Sequence, residues 1–388
     1  MRVLIAGGGT GGHLYPALAI MEGLKQRKRK DINIGYIGTR RGLEADVISR
    51  YEWIEFFPIR SRGFARGLSS WCVRWNLTAA AELLVGLFQS LFIICRFKPH
   101  LIIGTGGHCS FSPLMWGVIL GIPTMIHEAN VTPGLANRLL APWVDRVLLA
   151  HKETKRYLKC KVKVVGTPLR GEITKAIGAK REERDKFLSE IGLCPQKATV
   201  LVFGGSRGSE AITKGILDHK ELLDGIQVLL IVGKGNSVNS GREGNIVIKN
   251  YLDHMGKALA ACDIVVCRGG AVTLAEIAAL GKPAIVIPWS GASGSHQEWN
   301  ARLLERWGGC VMLPEEKLQG PLLAKLIVEL LEGDYLQRMS KNSRNKGIRD
   351  GLDKTLREVE LLIESLSSYR NRRRGNERFG KGALGRWL

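Results

Sequence analysis

Several signatures are missing from this chain. There is no D-x-D pair, no H-E-x-x-H and no G-x-x-x-x-G-K-[ST]. Neither a metal-assisted sugar-nucleotide site nor a P-loop therefore has visible ligands. None of the eight cysteines falls in a C-x-x-C pair. In a chain this long they read as small buried hydrophobes in a reducing compartment, not as a disulfide framework. No secretory signal precedes the first apolar run, Val3-Leu4-Ile5-Ala6, which has the character of a buried strand. The longest apolar stretch, residues 77–95, is interrupted by Glu82 and Gln89. A spanning helix wants about 20 predominantly apolar residues, so an amphipathic surface helix is expected there. Acidic residues are also scarce: 36 Asp and Glu face 57 Lys and Arg, a formal net charge of +21. That balance favours polyanionic partners: nucleic acid, an anionic bilayer or phosphorylated substrates.

What is present is regular. With 388 residues the chain suits two domains, and its 45% hydrophobic and 24% charged fractions are those of a globular protein. Short β-branched runs predict strands at 3–6, 32–37, 101–104, 124–127, 146–149 and 163–165. After a break, further strands follow at 199–203, 228–232, 246–248, 264–266, 284–287 and 310–313. Helical periodicity lies between them, at 16–26, 135–140, 182–191, 273–280 and 297–306. This alternation predicts α/β architecture: parallel sheets with helices on both faces. The pattern restarts, because a glycine turn follows the first strand (Gly7–Gly12) and another follows residues 199–203 (Gly204–Gly208). Two doubly wound domains in tandem are expected, 1–166 and 167–366, joined at Gly166-Thr167-Pro168 and holding a ligand between them. Residues 367–388 form a basic tail, either a plain solvated extension or an adhesive for membrane or RNA.

The glycine turns carry the chemistry. Gly7 to Gly12 satisfies G-x-G-x-x-G, yet a dinucleotide site also wants an acidic residue at the end of the second strand. Here that strand ends Gly38-Thr39-Arg40-Arg41, and neither His13 nor the second glycine turn has a task in such a site. Glycines admit close approach of backbone N–H groups to a ligand, and the helix behind them adds its positive end. His13, at the mouth of that helix, is either a general base toward a ligand hydroxyl or a helix-capping histidine. Gly104-Thr105-Gly106-Gly107-His108 with Ser110, and His127-Glu128-Ala129-Asn130, follow two further strands and suit a polar pocket lip. In the second half a strand meets a helix at Cys267 to Glu276 through a glycine pair. Glu276 there is either an acceptor for both ribose hydroxyls or a helix-start stabiliser.

Taken in order, these motifs resemble the MurG family of peptidoglycan glycosyltransferases, of the GT-B class, over roughly residues 2–364. The resemblance rests on Gly-Gly-Thr-Gly-Gly-His, Gly-Thr-Gly-Gly, His-Glu-x-Asn, Gly-Thr-Pro-Leu-Arg, Gly-Gly-Ser-x-Gly and Cys-Arg-x-Gly-Ala-x-Thr-x-x-Glu. It implies two Rossmann-like domains facing across a cleft. It also implies inverting, metal-independent transfer of N-acetylglucosamine from UDP-GlcNAc to the C4 hydroxyl of the muramoyl sugar of lipid I, giving lipid II. No cofactor is implied. Carried over by motif, His13 is the catalytic base. Thr10, Gly11, Gly12, Asn130, Arg170, Ser206, Leu252, Ala271, Val272, Thr273, Leu274, Ala275, Glu276, Gln297 and Asn300 face the donor. Gly106, Gly107, His108 and Ser110 belong to acceptor or phosphate loops. Trp71, Trp75, Leu83, Leu87 and Phe88, beside Leu84 and the cations Arg66, Arg74, Arg96 and Lys98, are either core or a membrane-docking patch. The implied place is the cytoplasmic face of the bacterial inner membrane, as a peripheral protein. The implied partners are UDP-GlcNAc, lipid I, anionic lipid and cell-wall or division machinery, with no nucleic acid expected. The chain departs from the family at Ala129, where glutamine is frequent, and at Gly269, His296 and His108, the last more often tyrosine. A UDP-GlcNAc 2-epimerase of the same architecture and a basic nucleic-acid-binding protein are the competing readings; the sequence carries no RRM or KH signature.

Overall fold

The computed structural model describes residues 1–28, 32–40, 43–65, 69–205, 208–233, 238–318 and 320–365. Two seven-stranded sheets organise it. The first holds β1 (Arg2–Gly7), β2 (Asn33–Thr39), β3 (Ile54–Ile59), β4 (Leu101–Gly106), β5 (Thr124–Glu128), β6 (Arg146–Leu149) and β7 (Lys163–Val164). Their order is β3-β2-β1-β4-β5-β6-β7, parallel throughout. The second holds β8 (Thr199–Phe203), β9 (Gln227–Ile231), β10 (Gly241–Glu243), β11 (Ile246–Lys249), β12 (Ile264–Cys267), β13 (Ala284–Val286) and β14 (Cys310–Met312). Here the order is β10-β11-β9-β8-β12-β13-β14, with only the β10–β11 pair antiparallel.

Strands covered on both faces need apolar residues at every position, and β1, β4, β8, β9 and β12 are buried along nearly their whole length. In both sheets the strand order reverses at the centre, between β1 and β4 and between β8 and β12, while the strands stay parallel. In open α/β sheets ligands gather at the carboxyl ends of the strands at this reversal. Those four strands are the ones that the glycine turns follow. Five of the eight thiols, all free, are buried among this packing, while Cys95 and Cys194 are exposed.

Three differences from the sequence reading stand out. Strand β3 escapes the pattern because Pro58 breaks an apolar run, yet proline is tolerated at the sheet edge where β3 lies. The first helix begins at Gly11, so Pro16 sits inside it instead of opening it. The helix at 351–365, expected with the second unit, returns to the first. Leu356, Val359 and Leu362 enter the same core as Val3, Ile5 and Leu14, where Gly23 of helix Gly11–Lys28 leaves room for Leu356. Arg27 reaches Asp353 at 2.6 Å across that contact.

The chain therefore crosses between the two sheets twice, near 166–168 and 347–350. The crossings touch: a Cβ on Gly351 would collide with the Thr167 carbonyl, and one on Gly166 would meet Ile348. His127 fixes the first crossing by donating Nε2–H to the Gly166 carbonyl at 2.8 Å.

Candidate active site

Two glycine turns enclose His13. Its Nδ1 lies 3.0 Å from the Thr105 carbonyl, which can only accept, so Nδ1 carries the proton and Nε2 the lone pair. Thr105 binds back through its hydroxyl, donating to the His13 carbonyl at 2.7 Å. Gly107 must be glycine: its φ is +79°, and a Cβ would collide with the Gly8 carbonyl. Burial lowers the imidazole's proton affinity, and Glu128, the Thr105 carbonyl and Glu44 partly offset it. The net shift is downward, which leaves His13 neutral and able to accept a proton at pH 7.

The second turn places His108 beside the first: Gly9 faces Nε2 of His108, and Nδ1 of His108 meets the Ser61 hydroxyl at 2.8 Å. Ser110 is turned inward. It is fully buried and donates to the Gly107 carbonyl at 2.9 Å, so it braces the turn and does not line it. Thr10 is exposed, and its carbonyl accepts from His13 and Leu14 to start the helix.

Glu128, quoted in a motif but given no role by sequence reasoning, organises the next loop. Buried at the end of β5, it accepts from Asn130 N and Nδ2, Gly134 N and Asn137 Nδ2, all at 2.9–3.0 Å. Asn130 is left with Oδ1 toward the second domain, where Asn300 Nδ2 donates to it at 3.2 Å. Asn300 also accepts from Val131 N at 3.0 Å and donates to the Gly269 carbonyl at 3.2 Å. Two residues expected to face the donor are thus brought together across the cleft.

On the other side, Arg170 collects three partners. Its guanidinium bonds Glu276 Oε1 at 3.0 and 3.2 Å, pairs with Glu172 at 2.6 Å, and stacks 4.4 Å over the Tyr15 ring of the first domain. Glu276 lies in helix Ala271–Leu280 and is 4% exposed. Burial raises its pKa and Arg170 opposes that. At the start of the helix after β12, Ala271, Val272 and Leu274 have buried side chains, whereas Thr273 and Ala275 are half-buried. The first three can meet a ligand only through backbone. Leu252 is half-buried against the core, and Gln297 Oε1 accepts from Trp289 N at 3.0 Å. Ser206, Arg66, Arg41 and the basic tail lie outside the described residues.

Arg268, quoted in a motif, was given no role by sequence reasoning. It donates to Ser209 Oγ at 2.6 Å and pairs with Glu315, whose other oxygen accepts from Ser290 N and Oγ at 3.1 and 3.0 Å. This ties the turn after β8 to the loop after β13. Its partners lie 59 and 47 residues away, so no local spacing announces them.

The apolar stretch forms a 28-residue helix, Ser70–Phe97. With a mean hydropathy of 1.9 over its best 18-residue window, it is long and apolar enough to cross a membrane by length and composition. It is not amphipathic in the expected sense, since its interrupting polar side chains point inward. Asn76 bonds both backbone groups of Ala65, Glu82 pairs with Arg62 at 3.0 Å, and Gln89 accepts from Arg60 N at 2.7 Å. The outward face is left apolar: Trp71, Leu77, Leu84, Phe88 and Phe92 are exposed, Phe88 by 72%. Trp75, Leu83 and Leu87 are half-buried, whereas Leu84, expected beside them, and Phe92, not named from the sequence, face outward. Ile119, Leu120, Leu135, Leu139 and Trp143 are exposed on and beside the neighbouring helices.

Comparison with known proteins agrees with this two-domain fold. The glycosyltransferase family 28 N-terminal domain matches residues 3–149 and the family 28 C-terminal domain matches residues 199–355. The UDP-N-acetylglucosamine–N-acetylmuramyl-(pentapeptide) pyrophosphoryl-undecaprenol N-acetylglucosamine transferase of Acetivibrio thermocellus is 38% identical, covering 94% of this chain and 99% of its own. The Bacillus subtilis protein of the same name is 36% identical, covering 93% and 99%. Among solved structures, MurG of Acinetobacter baumannii superposes with a TM-score of 0.70 at 22% identity, covering 92% of this chain and 99% of that one. UDP-GlcNAc 2-epimerase of Neisseria meningitidis superposes with a TM-score of 0.62 at 15% identity, covering 94% and 100%, and shares the fold alone. With relatives of such identity aligned over nearly their full length, the chain belongs to the MurG family of N-acetylglucosamine transferases.

Proposed function

We propose that this enzyme moves N-acetylglucosamine from UDP-GlcNAc to the C4 hydroxyl of the muramoyl sugar of lipid I in one inverting displacement, making lipid II. The observation that carries the mechanism is the His13–Thr105 hydrogen bond, which leaves the Nε2 lone pair of a neutral imidazole at the sheet reversal. As the acceptor oxygen bonds to the anomeric carbon, its proton passes to Nε2. The anomeric C–O bond breaks from the opposite face and UDP leaves with the electron pair. Arg170 and the start of helix Glu210–Leu217 face the leaving diphosphate, in a step written without a metal. Glu276 takes the ribose, with backbone from Ala271 to Ala275 and Leu252 at the nucleoside. Asn130 and Asn300 exchange their mutual bond for hydroxyls of the sugar, beside Gln297, Thr10, Gly11 and Gly12. Gly106, Gly107 and His108 face the acceptor.

Incubation with labelled UDP-GlcNAc and a lipid I analogue in EDTA tests the reading. Label is expected in the lipid fraction, as a β-linked product. Epimerised or unreacted sugar nucleotide overturns it.

The outward face of helix Ser70–Phe97 supports a peripheral place on the inner leaflet, with Arg74, Arg96 and Lys98 beside it for anionic lipid. Each exposed phenylalanine moved into lipid contributes about 1.5–3 kcal/mol. Phe88→Glu with Phe92→Glu is therefore expected to weaken binding to anionic vesicles by at least about a hundredfold. Turnover of a water-soluble acceptor should be unchanged, and a sedimentation assay reads the difference.

A further inference from the structure

The mechanism above leaves one buried carboxylate beneath the first glycine turn without a task. Glu44, in the short helix Leu43–Ile48 that follows β2, is 1% exposed. Its Oε1 accepts from Gly9 N at 2.6 Å and from the Thr39 hydroxyl at 3.2 Å. Its Oε2 is buried with no hydrogen-bond partner among the described residues. Gly8 passes so close that a Cβ there would collide with Oε1. The turn thus wraps a carboxylate.

This arrangement changes what the turn can do. Backbone N–H groups of a glycine turn ordinarily remain free for an anionic ligand. Here the Gly9 N–H is already taken, and an acidic group beneath it opposes a phosphate. The same group favours positive charge nearby, and its field reaches both His13 and His108. The groups acting on His13 come from three neighbouring elements: Glu128 from β5, Glu44 from the helix after β2, and His108 with the Thr105 carbonyl from β4 and its turn.

We propose that Glu44 is a positioning residue for the transfer: it sets the Gly7–Gly9 turn through the Gly9 N–H and stabilises the imidazolium that forms on His13. The acceptor O–H bond breaks as its oxygen bonds to the anomeric carbon. The proton goes to His13 Nε2 and UDP carries away the bonding pair, so the positive charge appears on the ring that packs against Gly107, whose other neighbour, Gly8, rests on Glu44. This rests on the reading of His13 as base.

Glu44→Gln tests it, because the amide keeps an acceptor for Gly9 N–H and removes the charge. Donor KM is expected to stay within about twofold, while kcat falls about tenfold or more. Losing a group that raises the pKa of His13 also moves the acid limb of the kcat profile to lower pH. Glu44→Asp should return that limb to its wild-type position, with part of the loss in kcat remaining. A folded Glu44→Gln enzyme with either wild-type kcat or a superimposed limb overturns the proposal. Should Glu44→Gln not fold, Glu44→Asp carries the test: it keeps the charge but withdraws it from Gly9, and wild-type kcat in that variant overturns the positioning role. Profiling His13→Ala in parallel separates the two readings. If His13→Ala retains the limb, the base assignment fails. If His13→Ala loses it while Glu44→Gln leaves it in place, only the role of Glu44 fails.

Discussion

His13→Ala should lower kcat by roughly 10²–10⁴-fold with both substrates saturating, the range expected for loss of a general base. UDP affinity should hardly change, because the cluster around Arg170 and Glu276 lies on the other domain. A second signature follows from the Thr105 hydrogen bond and from burial. The imidazole works as a base only when deprotonated, so the rate rises with pH through its pKa. Since that pKa is lowered from 6.5, the wild-type plateau should already be reached near neutral pH. The variant should lose this limb. Wild-type turnover in a folded variant would move the base elsewhere.

Arg170→Ala should be the most damaging change in stability terms. It strands Glu276, 4% exposed, without the cation that both of its hydrogen bonds come from. Breaking one side of a buried pair costs about 3–5 kcal/mol. The loss should depend on pH with a definite sign. Burial already raises the Glu276 pKa above 4.5, and removing Arg170 takes away the main opposing influence. A carboxyl whose folded pKa exceeds its unfolded value takes up a proton on folding, so stability falls as pH rises through that interval and is flat above it. Urea denaturation should therefore show a larger deficit relative to wild type at pH 7 than at pH 4.5. UDP binding, measured at pH 7, should weaken in parallel. An equal deficit at both pH values would mean that Glu276 is not the stranded group.

The sheets were legible because buried parallel strands are written as continuous apolar runs, and because each domain restarts with a strand and a glycine turn. The missed strands lacked that signal: β3 carries Pro58, and β10 is three exposed residues, Gly241–Glu243. At the site, motif order pointed to His13, Asn130, Arg170, Glu276 and Asn300, which the fold sets in the facing turns and on the helices behind them. The groups that hold them were not legible. Glu44 meets Gly9 across 35 residues, and Arg268 meets Glu315 across 47. Such pairs are made by the crossing of strands, and no local spacing encodes them. The helix Ser70–Phe97 was misjudged for a related reason. A polar residue in an apolar run marks a face, but only the tertiary partner, here residues 60–65, says that the face is the inner one.

The return of residues 351–365 to the first core bears on the order in which the protein can be made. Leu356, Val359 and Leu362 complete a core whose other members lie mostly within the first 165 residues. At about 5–20 residues per second of synthesis, those three side chains arrive some 10–40 s after the last strand of that sheet. During this interval the nascent first domain exposes the groove they will fill, along with the apolar outer face of its long helix. Final consolidation of the first domain therefore waits for the second to be synthesised.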